Sequence, residues 1–266
     1  MRIMASGIEM NYELSGKEGA PVVVLSHSLG SSLSMWVPQL RELEPDFRVL
    51  RYDIRGHGGS VSTPGPYTLE LLGEDAVRLL DALSIDKFHW VGLSMGGMIG
   101  QCIALNNGHR LRSLTLCDTA ASIPPDAQPV WQERIDTVRA KGAQALLGQT
   151  LERWFTPPFL SQNPPMLEVI RNEFIATPAE GYIGCMEAIR KLNYLERLPK
   201  IRIPTLILVG EDDPGTPVEA AKAMNDRIPK SKLVVLPGAR HLSNVGQPEA
   251  FNSALLRFLK EQVSGS

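Results

Sequence analysis

Val91-Gly92-Leu93-Ser94-Met95-Gly96-Gly97 follows the apolar run Phe88-His89-Trp90 and precedes Met98-Ile99-Gly100-Gln101-Cys102-Ile103-Ala104. A strand, a G-x-S-x-G turn and a helix in succession put a serine on a sharp corner with its hydroxyl clear of the sheet. A Cβ at position 92 or 96 would crowd the neighbouring strand or helix, so glycine suits both. Ser94 also opens a helix, where unpaired N–H groups and the helix dipole favour negative charge. Gly97 and Gly100 give that helix a smooth face for the sheet. The alternative is a glycine-rich turn with an incidental serine, and the flanking strand and helix weigh against it.

Working outward, Pro21-Val22-Val23-Val24-Leu25-Ser26 is a continuous apolar run of the kind buried on both faces of a parallel sheet. It ends in the small-residue loop His27-Ser28-Leu29-Gly30. Phe47 to Asp53 reads as a strand and Arg55-Gly56-His57-Gly58-Gly59-Ser60 as its loop. Helices are expected over 35–43 and 68–83, the second with Leu71, Leu72, Ala76, Leu79, Leu80 and Leu83 on one face. Leu111 to Leu116 is a further strand, and alternation around Ser6-Gly7 in residues 3–14 suggests a hairpin. Strand, loop and helix thus alternate four times, which argues for an α/β fold, a mostly parallel sheet with helices on both faces.

The rhythm breaks at residue 119. From about 120 to 199 the chain reads as helices punctuated by prolines, with Trp131 and Trp154 among them. This segment is expected to be a helical cap (lid) inserted into a core of 1–119 and 200–266. The alternation resumes with a strand over 204–210, a helix over 218–228, a strand over 232–236 and a closing helix over 248–263. Ser264-Gly265-Ser266 reads as a frayed tail.

The chain has 266 residues, 43% hydrophobic and 21% charged, with a formal net charge of −2. Nothing in that balance points to nucleic acid or an anionic membrane. No apolar run reaches the roughly 18 residues of a membrane span, and the N-terminus lacks a signal-peptide core, so a cytoplasmic location is expected. Cys102, Cys117 and Cys185 lack metal-ligand spacing, and neither a metal nor an organic cofactor is implied. Oligomeric state is left open.

Two more loops follow strands at the same end of the sheet. Gly210-Glu211-Asp212-Asp213-Pro214 offers a carboxylate, and Gly238-Ala239-Arg240-His241-Leu242-Ser243 a histidine. Serine, acid and histidine in that chain order form a nucleophile, an orienting acid and a general base. His89 lies within a strand and His109 after a helix. His27 and His57 are possible site neighbours, and His241 alone follows the acid loop. Asp212, Asp213 and Asp118 compete for the acid, and spacing alone does not separate Asp212 from Asp213. Backbone N–H groups of Leu29 and Met95 are the candidates for an oxyanion hole.

The chain resembles the α/β-hydrolase superfamily over nearly its whole length and, within it, the 3-oxoadipate enol-lactonases. The resemblance rests on His27-Ser28-Leu29-Gly30, Met35-Trp36, Tyr52 to Gly58, Gly92 to Gln101, Arg153-Trp154-Phe155-Thr156-Pro157 and Gly181 to Arg190. It implies Asp213 as the acid, three residues after the strand-end Gly210 and followed by Pro217. It also implies a small lactone carrying a carboxylate as substrate, within aromatic-compound catabolism by the β-ketoadipate pathway. Arg134 and Trp154 are the candidate substrate contacts from the cap, with Arg153 and Arg190 next in line for the carboxylate. Two positions depart from common patterns: Ser28 replaces the glycine of most hydrolases, although the enol-lactonases resemble this sequence there, and Asn193 stands where an aspartate is expected. Other readings are a carboxylesterase, a carbon–carbon bond hydrolase of ring-cleavage products, or a low-turnover ligand-binding receptor.

Overall fold

A computed structural model describes residues 1–264; the frayed-tail expectation for Gly265 and Ser266 lies outside them, while Ser264 is the last residue of the closing helix rather than part of a tail. The strands are β1 (Arg2–Ala5), β2 (Ile8–Gly16), β3 (Val22–Ser26), β4 (Arg48–Tyr52), β5 (Phe88–Leu93), β6 (Leu111–Cys117), β7 (Thr205–Gly210) and β8 (Ser231–Leu236). They form one sheet in the order β1-β2-β4-β3-β5-β6-β7-β8. β1 and β2 form the expected hairpin and join the sheet through an antiparallel β2–β4 pairing. All later neighbours are parallel. β5 and β7 are buried along their full length, as their unbroken apolar runs require.

Helices α1 (Val37–Leu43), α2 (Leu69–Ala82) and α3 (Met95–Asn107) connect the early strands. α2 begins where the Thr68 hydroxyl accepts from Leu71 N–H. It buries Leu69, Leu72, Ala76, Leu79 and Leu80, while Leu71 and Leu83 are half-buried at the edge of that face. Between β6 and β7 come α4 (Gln128–Lys141), α5 (Leu147–Trp154), α6 (Pro157–Gln162), α7 (Pro165–Ala176) and α8 (Ala179–Ile189). Proline stands in the first turn of α4, α6 and α7, where its missing N–H costs no helical hydrogen bond. The sheet resumes with β7, α9 (Val218–Asn225) joins it to β8, and α10 (Ser243–Gly246) and α11 (Pro248–Ser264) follow β8. α2 packs on α3, and α1 on α11.

The chain passes from β3 outward to β4 and then back across to β5, so the sheet changes direction beside β3. The crevice at the carboxyl ends of strands flanking such a switch is where open α/β sheets bind ligands. The loops after β3 and β5 carry Ser28-Leu29 and Ser94-Met95 to that crevice. No helix among the described residues is long and apolar enough to cross a membrane.

Candidate active site

Ser94 holds a backbone conformation that L-residues rarely adopt, φ 54° and ψ −114°. Such a residue costs on the order of 1–3 kcal/mol and persists only where its surroundings over-determine it. Here Ser94 N–H donates to Cys117 O at 2.8 Å, and Ser94 O accepts from Thr119 Oγ1 at 2.7 Å. The two flanking glycines are sterically necessary. A Cβ on Gly92 would lie 2.1 Å from Gly96 O, and one on Gly96 would lie 2.1 Å from Ser26 O.

Ser94 Oγ lies 2.9 Å from His241 Nε2, and His241 Nδ1 lies 2.7 Å from Asp213 Oδ2. All three residues are buried. An ionised Asp213 fixes the tautomer: Nδ1–H donates to the carboxylate, which leaves Nε2 to accept from the serine. The Asp213 carboxylate is well supplied with donors. Oδ1 accepts from Gly215 N–H at 2.7 Å and Thr216 N–H at 3.1 Å, and Oδ2 accepts from Thr216 Oγ1 at 2.6 Å. Burial pushes its pKa up, but the charge and hydrogen bond of His241 and the Thr216 donors outweigh that, so it lies below the ordinary carboxylate value.

The competing acids fall elsewhere. Asp212 is exposed. Asp118 is fully buried at the end of β6 and does not bond to His241. Its Oδ1 accepts from Gly210 N–H at 2.7 Å, and its Oδ2 accepts from Ser243 Oγ, so it ties the acid loop to the base loop. Burial and the nearby Asp213 charge raise its pKa well above the ordinary value.

His27 and His57 are structural neighbours of the site and are absent from its walls. His27 Nδ1–H donates to Ser28 O at 2.7 Å, and its Nε2 accepts from Ile54 N–H at 2.9 Å. His57 Nε2 accepts from Gly30 N–H at 3.0 Å. The outer groups of the 28–30 loop are therefore taken by two neutral imidazoles, and Leu29 N–H between them has no acceptor among the described residues. Met95 N–H likewise has none among the described residues. Burial lowers the His27 pKa to about 4 and, with the neighbouring His27, the His57 pKa to about 3.

Ser94 and His241 open onto a cavity of about 390 Å³. Leu29, Met98 and Thr216 line its floor, and Trp131, Arg134, Arg153, Trp154 and Tyr182 come from the helices between β6 and β7. Arg134 stacks 5.4 Å from the Trp131 ring centroid, and no carboxylate pairs with Arg134 or Arg153 among the described residues. Burial, and then the Arg134 charge, lower the Arg153 pKa from its ordinary value. The end of α5 is pinned to the base loop: Leu242 N–H donates to Trp154 O at 3.2 Å, and Arg240 reaches Phe155 O at 3.5 Å and Glu152 O. This anchorage holds Arg153 and Trp154 beside His241.

Arg190 lies outside this cavity. It pairs with Glu187 at 2.6 Å and donates to Gln132, which removes it from the candidates for a substrate carboxylate. Asn193 is exposed and does not line the cavity, although its backbone bridges to Ser122, which does. Thr216 escaped the sequence reading. Its signal was present in Asp213-Pro214-Gly215-Thr216, because an aspartate that folds back on N–H groups two and three residues later forms an Asx turn.

A model of the alpha/beta hydrolase fold matches residues 21–248. The chain is 37% identical to a 3-oxoadipate enol-lactonase of Acinetobacter baylyi, covering 97% of this chain and 96% of that protein. A Stutzerimonas stutzeri protein provisionally named a carbamate hydrolase (RutD) is 31% identical, over 95% of this chain and 97% of its own length. Among solved structures, the enol-lactonase of Burkholderia xenovorans LB400 superposes with a TM-score of 0.94 at 38% identity, covering 98% of this chain and 100% of that one.

Proposed function

The chain belongs to the α/β-hydrolase fold family, and from that premise we propose that it is a serine hydrolase opening a small anionic lactone, 3-oxoadipate enol-lactone by preference, to its keto acid. One observation carries the reading: a cavity that joins the Ser94–His241–Asp213 relay to two arginines without carboxylate partners. An isolated cation is costly to bury, and a substrate carboxylate supplies the missing charge. The similarity to enol-lactonases over nearly the whole chain supports the same substrate class.

In this reading Ser94 Oγ attacks the ring carbonyl while His241 Nε2 takes its proton. Asp213 holds the imidazole and stabilises the imidazolium. The carbonyl electron pair moves onto oxygen, where Leu29 and Met95 N–H groups receive it. Collapse breaks the ring C–O bond, and His241 returns the proton to the departing enolate oxygen. Water, deprotonated by His241, then releases the acyl group from Ser94. The leaving group stays tethered to the acyl chain, so re-closure competes with water. Conversion of the enol to its ketone removes the re-closing nucleophile and draws the reaction forward.

Arg134 and Arg153 bind the substrate carboxylate, and Trp154 packs on the apolar part of the ring. The segment 120–199 acts as a cap on the core formed by 1–119 and 200–266. The implied setting is a cytoplasmic enzyme of aromatic-compound catabolism. Purified protein should hydrolyse the enol-lactone, and Ser94→Ala should lower kcat by about a thousandfold or more. Near-normal turnover by that variant would remove the nucleophile assignment and the mechanism with it.

A further inference from the structure

Among the described residues, several buried side-chain polar atoms lack a hydrogen-bond partner, and of these only Ser28 Oγ belongs to a residue that lines the catalytic cavity. Ser28 is 1% exposed. Its backbone is fully engaged: the N–H donates to Met35 Sδ at 3.5 Å, and the carbonyl accepts from His27 Nδ1 at 2.7 Å. The hydroxyl is the one group of Ser28 left unused. Ser28 precedes Leu29, whose N–H also has no protein acceptor among the described residues.

A buried hydroxyl without a partner destabilises the fold, and each such group calls for a reason. A glycine or alanine here would avoid that cost. The Ser28 hydroxyl can donate to an acceptor that arrives at the cavity wall beside Leu29, and the oxygen of a tetrahedral intermediate is such an acceptor. We propose that the Ser28 hydroxyl is a third oxyanion donor, acting beside the Leu29 and Met95 N–H groups. This rests on the assignment of Ser94 as nucleophile. As the Ser94 Oγ–carbon bond forms and the carbonyl pair moves to oxygen, Ser28 O–H donates a hydrogen bond to that oxygen and keeps its own proton.

The proposal sets activity against stability. Removing the hydroxyl takes away a transition-state contact and also a buried orphan group. Ser28→Ala and Ser28→Gly should therefore lower kcat and kcat/KM together, by about a hundredfold, on p-nitrophenyl acetate as well as on the enol-lactone. The melting temperature of Ser28→Ala should equal or exceed that of the wild type. Unchanged kcat, a loss confined to KM, or a lower melting temperature in Ser28→Ala would each overturn the proposal, because they would indicate a packing or ground-state role. Labelling by a fluorophosphonate, followed by intact mass, separates the two levels of the reading. A wild type that resists labelling removes the Ser94 assignment and this inference together. A labelled wild type beside fully active Ser28 variants removes this inference alone.

Discussion

Replacing His57 by glutamine removes one titrating group from beneath the Leu29 loop, and the effect on stability has a definite sign. His57 is fully buried and neutral, with a pKa lowered from 6.5 to about 3, first by burial and then by the charge of His27. The unfolded chain takes up a proton near pH 6.5, whereas the folded protein resists it until about 3. The unfolded state thus binds more protons throughout that window, so His57 makes stability fall as pH falls through it, and is without effect above it. The slope is about 1.4 kcal/mol per pH unit, and the accumulated loss at pH 5 is about 2 kcal/mol. Asp118 acts with the opposite sign, since its raised pKa favours the folded state as pH falls. Wild-type stability alone mixes these with His27 and His89, whose pKa values burial also lowers to about 4. The difference between variant and wild type isolates His57: glutamine can place an amide oxygen near the position of Nε2, accept from Gly30 N–H and stay neutral at every pH. Urea unfolding followed by tryptophan fluorescence, from about pH 8 to 4.5 at fixed ionic strength, should show the variant losing stability less steeply than the wild type by about 1.4 kcal/mol per unit below pH 6.5. Parallel curves would refute a neutral, proton-resisting His57 and the loop support built on it.

Thr216→Val removes the donor 2.6 Å from Asp213 Oδ2 while keeping the side-chain shape, so kcat should fall about tenfold with little change in KM, measured by steady-state kinetics. Gly96→Ala places a Cβ against the main chain at Ser26, and chemical unfolding should show a loss of about 3 kcal/mol or more. Arg190→Ala, whose guanidinium is engaged by Glu187 and Gln132 outside the cavity, should leave kcat/KM for the enol-lactone within about twofold of wild type.

The strands were legible because burial on both faces leaves an unbroken apolar run, as in Val22–Ser26 and Thr205–Gly210. The Ser94 turn was legible because its glycines answer a steric demand that spacing alone reveals. Asp213 was separable from Asp212 on the residues only through the Asx turn ending at Thr216, a hydrogen-bond pattern that leaves no hydrophobic period. His27 and His57 could be placed near the site, but their roles depend on which backbone groups face them across β3 and β4, and sequence distance does not carry that. The arginines were the hardest to separate. Arg134, Arg153 and Arg190 all lie on helices between β6 and β7, and which of them turns inward depends on how α5 is tied to the base loop at Trp154 and Phe155.

The central claim joins the Ser94 relay to recognition of a substrate carboxylate by Arg134 and Arg153. Comparing kcat/KM for ring opening of 3-oxoadipate enol-lactone with that of its methyl ester keeps the reacting ring and replaces the carboxylate by a neutral group. The wild type should prefer the free acid by about a hundredfold, and Arg153→Ala should erase most of that preference while sparing the ester. Equal turnover of acid and ester by the wild type would contradict the account.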